Sequence, residues 1–367
     1  MNNRASALVF SFLVVTVLSI LGSAVVMRSA SEKKISQGYA DSAQAFWIAE
    51  AGLAQAYYNW SNGISQPQGA VSYGGGTYSI DASSLVQTRV TGVFGASSRI
   101  LQGSFVFIPR PFDNTLSAGG NLRLSGLLAR VEIYDKTRIS GTYSRSFGAS
   151  GWFEDKQENV DQNLTTIKIP DYSGNGVSDE FSDFVLFGRN AAQSYPEDQV
   201  VYIQTDNTVN IFPNQDLVGK KIIYVEGTQA GAGDVNIFFD TTWHAGEDLT
   251  VISTGDITYV EPLQFQADAR LSTISWVDYN EASVFRSEHE SIIYTHDDAN
   301  FVDILDWGST TGSVIANDEV SLNEVLTYEK YYYSDRIANG DLSPGFKWLS
   351  TTNNGTRKMM DWQEIRD

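Results

Sequence analysis

The chain has 367 residues, 42% of them hydrophobic, with no Cys and a net charge of −19. That length suits about two domains and a sizeable core. The missing Cys excludes disulfides, thiol catalysis and Cys-bound zinc, and the acidic balance excludes a DNA-coating role, which needs a basic face.

The charge is uneven: residues 1–60 are net +1, which leaves −20 on the remainder. Residues 6–27 form an uncharged run of 22. As a helix this run reaches roughly 33 Å, enough to cross a hydrocarbon core of about 30 Å. Arg4 precedes it and Arg28, Lys33 and Lys34 follow it, a distribution that sets no orientation. The apolar core of a secretory signal peptide is shorter, about 7–15 residues, although Gly22, Ser23 and Ala24 would suit a signal peptidase. Beyond the run, Ile35, Tyr39, Ala43, Phe46, Ala49, Leu53, Ala56 and Trp60 recur every three or four residues, the stripe of an amphipathic helix. No Pro interrupts residues 6–60. The spacing therefore predicts one helix of about 55 residues, roughly 80 Å long, with 6–27 transmembrane and 28–60 packed on a globular body.

Two motifs in this head carry a family resemblance. The run Arg4-Ala5-Ser6-Ala7-Leu8-Val9-Phe10 opens the apolar helix, and Ala45-Phe46-Trp47-Ile48-Ala49-Glu50-Ala51-Gly52 lies near its end. Together they resemble the N-terminus of X-type minor pilins of type IV pili, over about residues 4–60. The resemblance implies a leader at 1–5, cut by prepilin peptidase between Ala5 and Ser6; Ala5 stands where the family usually has Gly. It also implies assembly through the helix, with Phe10, Phe46, Trp47 and Glu50 as its marked positions. Phe10 would be the fifth mature residue, where major pilins carry a Glu that offsets a neighbour's buried N-terminal amine. X-type pilins and the K-type pseudopilins of type II secretion are similar in lacking that Glu. A subunit without it need not dock beneath another, which suits a filament tip.

From residue 61 Gly and Pro punctuate short apolar runs. Residues 61–112 read as a small antiparallel sheet, with a four-residue hairpin signal at Gly95-Ala96-Ser97-Ser98; the resemblance implies that this sheet lies on the amphipathic helix. Residues 113–350 carry many short runs, such as Lys221-Ile222-Ile223-Tyr224-Val225 and Leu249-Thr250-Val251-Ile252-Ser253, separated by polar loops. They predict a continuous parallel β-helix, with a β-sandwich as the alternative. Residues 351–367 read as a polar tail whose Met359, Met360 and Trp362 tuck back onto the body. The fold class is α+β, mostly β.

The best local motif is Asp171-Tyr172-Ser173-Gly174-Asn175-Gly176-Val177-Ser178-Asp179. Asp171, Ser173, Asn175 and Asp179 put oxygens at loop positions 1, 3, 5 and 9, with Gly176 at the sharp turn, a spacing that wraps Ca²⁺. The closing carboxylate, Asp183, comes one residue late. The competing reading is an ordinary Asx and Gly turn. Asp297, Asp298, Asp303 and Asp306 form a second acidic cluster; convergent carboxylates cleave glycans, but solvated turns in an acidic protein have the same composition. His244, His289 and His296 have no paired-ligand spacing. Tyr331, Tyr332, Tyr333 and Trp348 fit β-core and edge positions better than an apical patch.

These readings point to a structural subunit rather than an enzyme: a minor pilin that helps start the filament and sits at or near its tip, with adhesion as a further role. Expected partners are other minor and major pilins, prepilin peptidase, the inner membrane before assembly and a tip adhesin, with no nucleic acid directly indicated. The expected location is the inner membrane, as a single-pass protein, and then the extracellular pilus. A K-type pseudopilin, which would need a largely helical inserted domain, and a secreted β-helical carbohydrate-active enzyme are the alternatives.

Overall fold

A computed structural model describes residues 3–61, 65–81, 87–109, 111–177, 180–212, 217–238, 242–243, 247–260, 264–265, 269–283, 288–305, 307–349 and 355–365. It divides into two compact units, residues 1–106 with 357–367, and residues 107–356.

The first unit is built on helix α1 (Asn3–Ser61). The strands Ala70–Tyr73, Gly76–Asp81, Gln87–Phe94 and Ser97–Pro109 follow as antiparallel neighbours. Gly74 (φ 58°) and Gly75 (φ 80°) turn the first hairpin, as a two-residue turn with left-handed backbone demands. Phe94 pairs with Ser97, so the Gly95 hairpin has a two-residue loop rather than the expected four, because Ser97 and Ser98 already lie in the ladder. The segment read as a polar tail contributes a fifth strand, Gly355–Ile365, beside Ser97–Pro109.

Ile48, Ala49, Leu53 and Ala56 of α1 are buried against Tyr78, Val90, Leu101 and Phe105 of the sheet. Among the described side chains of α1 burial begins at Ala45; Ile35 and Tyr39, also on the apolar stripe, are 59% and 75% exposed. The amphipathic pattern therefore extends further along the helix than its packing within the unit does.

The second unit is a parallel β-solenoid, not a sandwich. One sheet runs, in spatial order, Val209–Ile211, Val235–Phe238, Ile257–Val260, Tyr279–Ser283, Ala299–Ile304, Val320–Val325, Leu122–Leu127 and Tyr143–Arg145. The facing sheet starts at Val200–Gln204 and passes through Ile222–Glu226, Asp248–Ser253, Arg270–Ser275, Glu288–Thr295 and Ser309–Ala316. Alternate residues from both, such as Ile223, Val225, Ile237, Val251 and Phe301, fill the lumen. The solenoid is not laid down continuously. Residues 116–157 form coils at one end, the chain then crosses to the opposite end at Val200, and the later coils climb back until Val320–Val325 pairs with Leu122–Leu127.

Helix α2 (Phe181–Gln193) lies in the crossing segment and was not expected. Its signal was present: the buried Phe184, Phe187, Gly188 and Ala191 fall at i, i+3, i+4 and i+7. Phe184 lies against Trp276 at 5.2 Å between ring centroids, and the Tyr224 hydroxyl donates to the Val185 carbonyl at 3.3 Å. Strands such as Ile222–Glu226 are thus covered on both faces, which explains runs that are apolar throughout instead of alternating.

Candidate functional site

Three groups of side chains stand out once the fold is in place: the bare part of α1, the loop before α2, and a column of acids at the solenoid turns.

From Phe10 to Tyr39 the large apolar residues of α1 find no cover. Phe10, Phe12, Leu18, Ile20, Val26 and Met27 are all more than 60% exposed. The helix is long and apolar enough to cross a membrane. Ala5 and Ser6 lie within its backbone span. Of the marked positions, Phe46 is half-buried, meeting Trp47 edge-on at 5.5 Å and Trp362 at 5.9 Å. Trp47 remains 63% exposed and Glu50 half-buried. The small residues of the signature have a packing reason. A Cβ on Gly52 would come within 2.6 Å of Val90 and 2.8 Å of the Tyr78 ring, and one on Gly92 within 2.3 Å of the Ala45 carbonyl oxygen. Helix and sheet approach too closely for anything larger.

In the loop, the Asp171 carboxylate accepts the amides of Gly174 (2.5 Å) and Asn175 (3.1 Å) on Oδ1 and that of Gly176 (2.7 Å) on Oδ2. These donors hold the carboxyl below its usual range, the Gly176 amide most strongly. The Ser173 amide donates to Asp183 Oδ1 at 2.6 Å, and the Asn175 side chain donates to Glu180 at 2.8 Å. The structure therefore brings Asp171, Ser173, Asn175 and Asp183 together; Asp179 lies outside the described residues.

The second acidic cluster does not form as expected. Asp297 and Asp298 meet Asp278 at a turn, their ligand atoms within 4.8 Å of one another. Asp303 is buried, its strand turning it into the lumen instead, and Asp306 lies outside the described residues. The turn acids form a ladder: Asp234, Asp256 and Asp278 each accept, at 3.1 Å, the amide of the Asp one coil on, and Asp298 accepts that of Glu319 at 2.9 Å. Burial, reinforced by the neighbouring acids, raises the carboxyls of Asp256, Asp278 and Asp297. The ladder's role in turn capping is plain from these bonds; the sequence signal is one Asp per coil.

Of the other expected positions, His296 stacks on Trp276 at 4.0 Å, Tyr331 is buried, and Tyr332 stacks on Tyr134 at 4.6 Å. Tyr333 donates to the Phe112 carbonyl at 2.9 Å. His244 and the side chains of His289 and Trp348 lie outside the described residues. Sequence reasoning missed a cavity of about 430 Å³ between the end of α2 and the first solenoid strand, lined by Arg189, Gln193, Tyr195 and Tyr202 among others. It also missed the inward carboxylates Glu281 and Glu324, which alternation along their strands would have revealed.

Comparison with known proteins adds to this geometry. No curated protein sequence matches the chain. Solved structures that match do so at low similarity. An ice-binding protein from an Antarctic biological consortium shares 11% identity over 62% of this chain and 92% of its own, with a TM-score of 0.31. An ice-binding protein domain of Shewanella frigidimarina shares 12% over 60% and 97%, at 0.30. The competence-associated pilin ComZ of Thermus thermophilus shares 9% over 89% and 97%, at 0.32. The family model that matches is the PilX N-terminal segment, over residues 6–54. That span takes in both the bare apolar helix and the Ala-Phe-Trp-Ile-Ala-Glu-Ala-Gly signature that packs on the sheet, so residues 6–54 are similar to the PilX N-terminal segment as one continuous stretch.

Proposed function

We propose that the protein is a minor pilin that helps start filament assembly and sits at or near the tip. The observation that carries this reading is the run of exposed apolar residues from Phe10 to Tyr39 on a helix of the PilX type. Such a surface is stable only in lipid or against other apolar helices. The helix resides first in the inner membrane and then exchanges lipid for the bundle formed by neighbouring pilins. Phe10 in place of an acid means that the subunit carries no carboxylate to offset the N-terminal amine of another, which favours the last position in a stack. Prepilin peptidase is the processing enzyme, and the acidic solenoid is the part offered to a surface or to a larger adhesin.

Mass spectrometry of the mature protein tests the first step. A start at Ser6 is expected; a start near Val25 would mean removal of the assembly helix and overturn the reading. Immunogold labelling of filaments tests the second: label at the ends is expected, and label along the shaft would refute tip placement. The expected behaviour includes no catalytic activity toward glycans, since the acids suspected of it are divided between a turn and the lumen.

A further inference from the structure

We propose that the loop 171–177, closed by Asp183, is a calcium site. Asp183 lies in the first turn of α2 and is completely buried. One of its oxygens accepts the Ser173 amide at 2.6 Å, which sets the carboxylate against the loop. The other, Oδ2, is buried and finds no hydrogen-bond partner among the described residues. Among those residues no Lys, Arg or His forms an ion pair with Asp171, Glu180 or Asp183 either. A buried carboxylate oxygen without a partner loses its hydration and gains nothing in return. A hard cation removes that penalty.

The loop is suited to supply the rest. Asp171 is held ionised by four donors, three backbone amides and the Ser173 hydroxyl, all of which approach it from within the loop. Gly174 (φ 72°) and Gly176 (φ 85°) take left-handed backbone with open space around them, so the loop folds tightly around that carboxylate. The Asn175 side-chain oxygen, which accepts the Val177 amide at 2.8 Å through one lone pair, and the Ser173 hydroxyl are neutral oxygens at alternate positions. Two carboxylates plus neutral oxygens is the donor set calcium takes, completed by backbone carbonyls and water. Magnesium demands a smaller octahedral cage and sheds water reluctantly, so it binds more weakly here. Few anionic ligands place the affinity in the range of extracellular modules, about 10⁻⁴ to 10⁻³ M.

The test is thermal unfolding of the full-length protein in detergent, with calcium chloride or with chelator, for the wild type, Asp183→Asn and Asp171→Asn. The wild-type solenoid transition should rise by about 5 °C at saturating calcium and by less with magnesium chloride. Asp183→Asn should melt no lower than wild type in chelator, because an unpaired buried charge is gone, yet lower than wild type in calcium. This reversal of order is what a merely structural Asp183 would not produce. A wild-type transition that does not respond to calcium overturns the proposal, as does an Asp183→Asn shift of the same size and sign in both conditions. Asp171→Asn should lose the calcium response; retention of it overturns the site as drawn. Neither outcome bears on filament assembly, so the pilin reading stands or falls separately.

Discussion

Arg270 has no exposed surface, yet it carries a full charge on the outer side of a solenoid strand. Its Nη2 and Nε reach Asp248 at 2.7 and 3.2 Å, and Nη1 donates to the Asp341 carbonyl at 2.6 Å. Without Arg270, Asp248 stays largely buried and keeps only the longer contact from Arg336 at 3.4 Å. Arg270→Ala should therefore cost about 3 kcal/mol in urea unfolding, the low end for a broken buried pair, and more than a surface Arg such as Arg123, whose ion pair is worth about 0–1 kcal/mol. His296 sets a pH dependence. Burial against Trp276 lowers its pKa from 6.5 to about 4, so the folded state holds it neutral. The unfolded chain takes up a proton below about pH 6.5 that the folded chain refuses until about pH 4. Stability from this residue is complete above pH 6.5 and drains as pH falls toward 4, by about 3 kcal/mol in all. His296→Gln should flatten the fall between pH 7 and pH 5 in a urea series.

At the scale of elements, two glycines of α1 respond in opposite ways. Gly38 has nothing within 4 Å of its missing Cβ, so Gly38→Ala should gain about 1 kcal/mol of helix propensity. Gly52→Ala gains the same propensity but drives a methyl to 2.6 Å from Val90. Overpacking of this kind costs about 1–3 kcal/mol, so the net effect should be destabilising, read as a lower melting temperature and faster proteolysis of residues 65–109. The signature glycine was legible as a motif, but its reason lies in strand Gln87–Phe94, which no local pattern ties to the helix. The solenoid corners show a related feature. Leu128, Leu305 and Leu326 all have φ between 56° and 60° and are exposed, a backbone region unfavourable for bulky residues by about 1–2 kcal/mol. Leu128→Asn should raise stability by about 1 kcal/mol, since Asn tolerates that backbone and the Leu side chain is 66% exposed. Strand positions were readable from apolar runs, whereas a Leu in left-handed backbone gives no turn signal of its own.

For the whole molecule, the returning C-terminus is the decisive connection. Strand Gly355–Ile365 completes the sheet that begins at Ala70, and Arg99 pairs with Glu364 at 2.9 Å. A chain ending at residue 354 loses that strand, the ion pair and the Trp362 contact with Phe46. It should show an early-melting first unit and poor incorporation into filaments, while the solenoid transition stays near its wild-type temperature. The order of coils has the same non-local character. Residues 116–157 wait for strands almost 200 residues later, such as Val320–Val325, before their ladder closes, so refolding of the solenoid should be slow for its size.

The sequence by itself determined the helix, its membrane-competent half, the small sheet and the coil-forming character of the body. Each rests on a period or a composition that local chemistry enforces: uncharged length, three-four spacing, short apolar runs between polar turns. Tertiary structure alone decided the rest. Only contacts across the sheet made the last residues a strand, and only the crossing to Val200 reversed the order of the coils. The split of the acids came the same way, with Asp297 and Asp298 in a turn ladder and Asp303 in the lumen. Runs that share only their apolar character can pair in several orders. The choice among them is made by burial over the whole unit, a quantity that no stretch of a dozen residues contains. The −20 charge of the body, uniform as composition, is thereby sorted into capping acids, buried pairs and a loop that folds around Asp171.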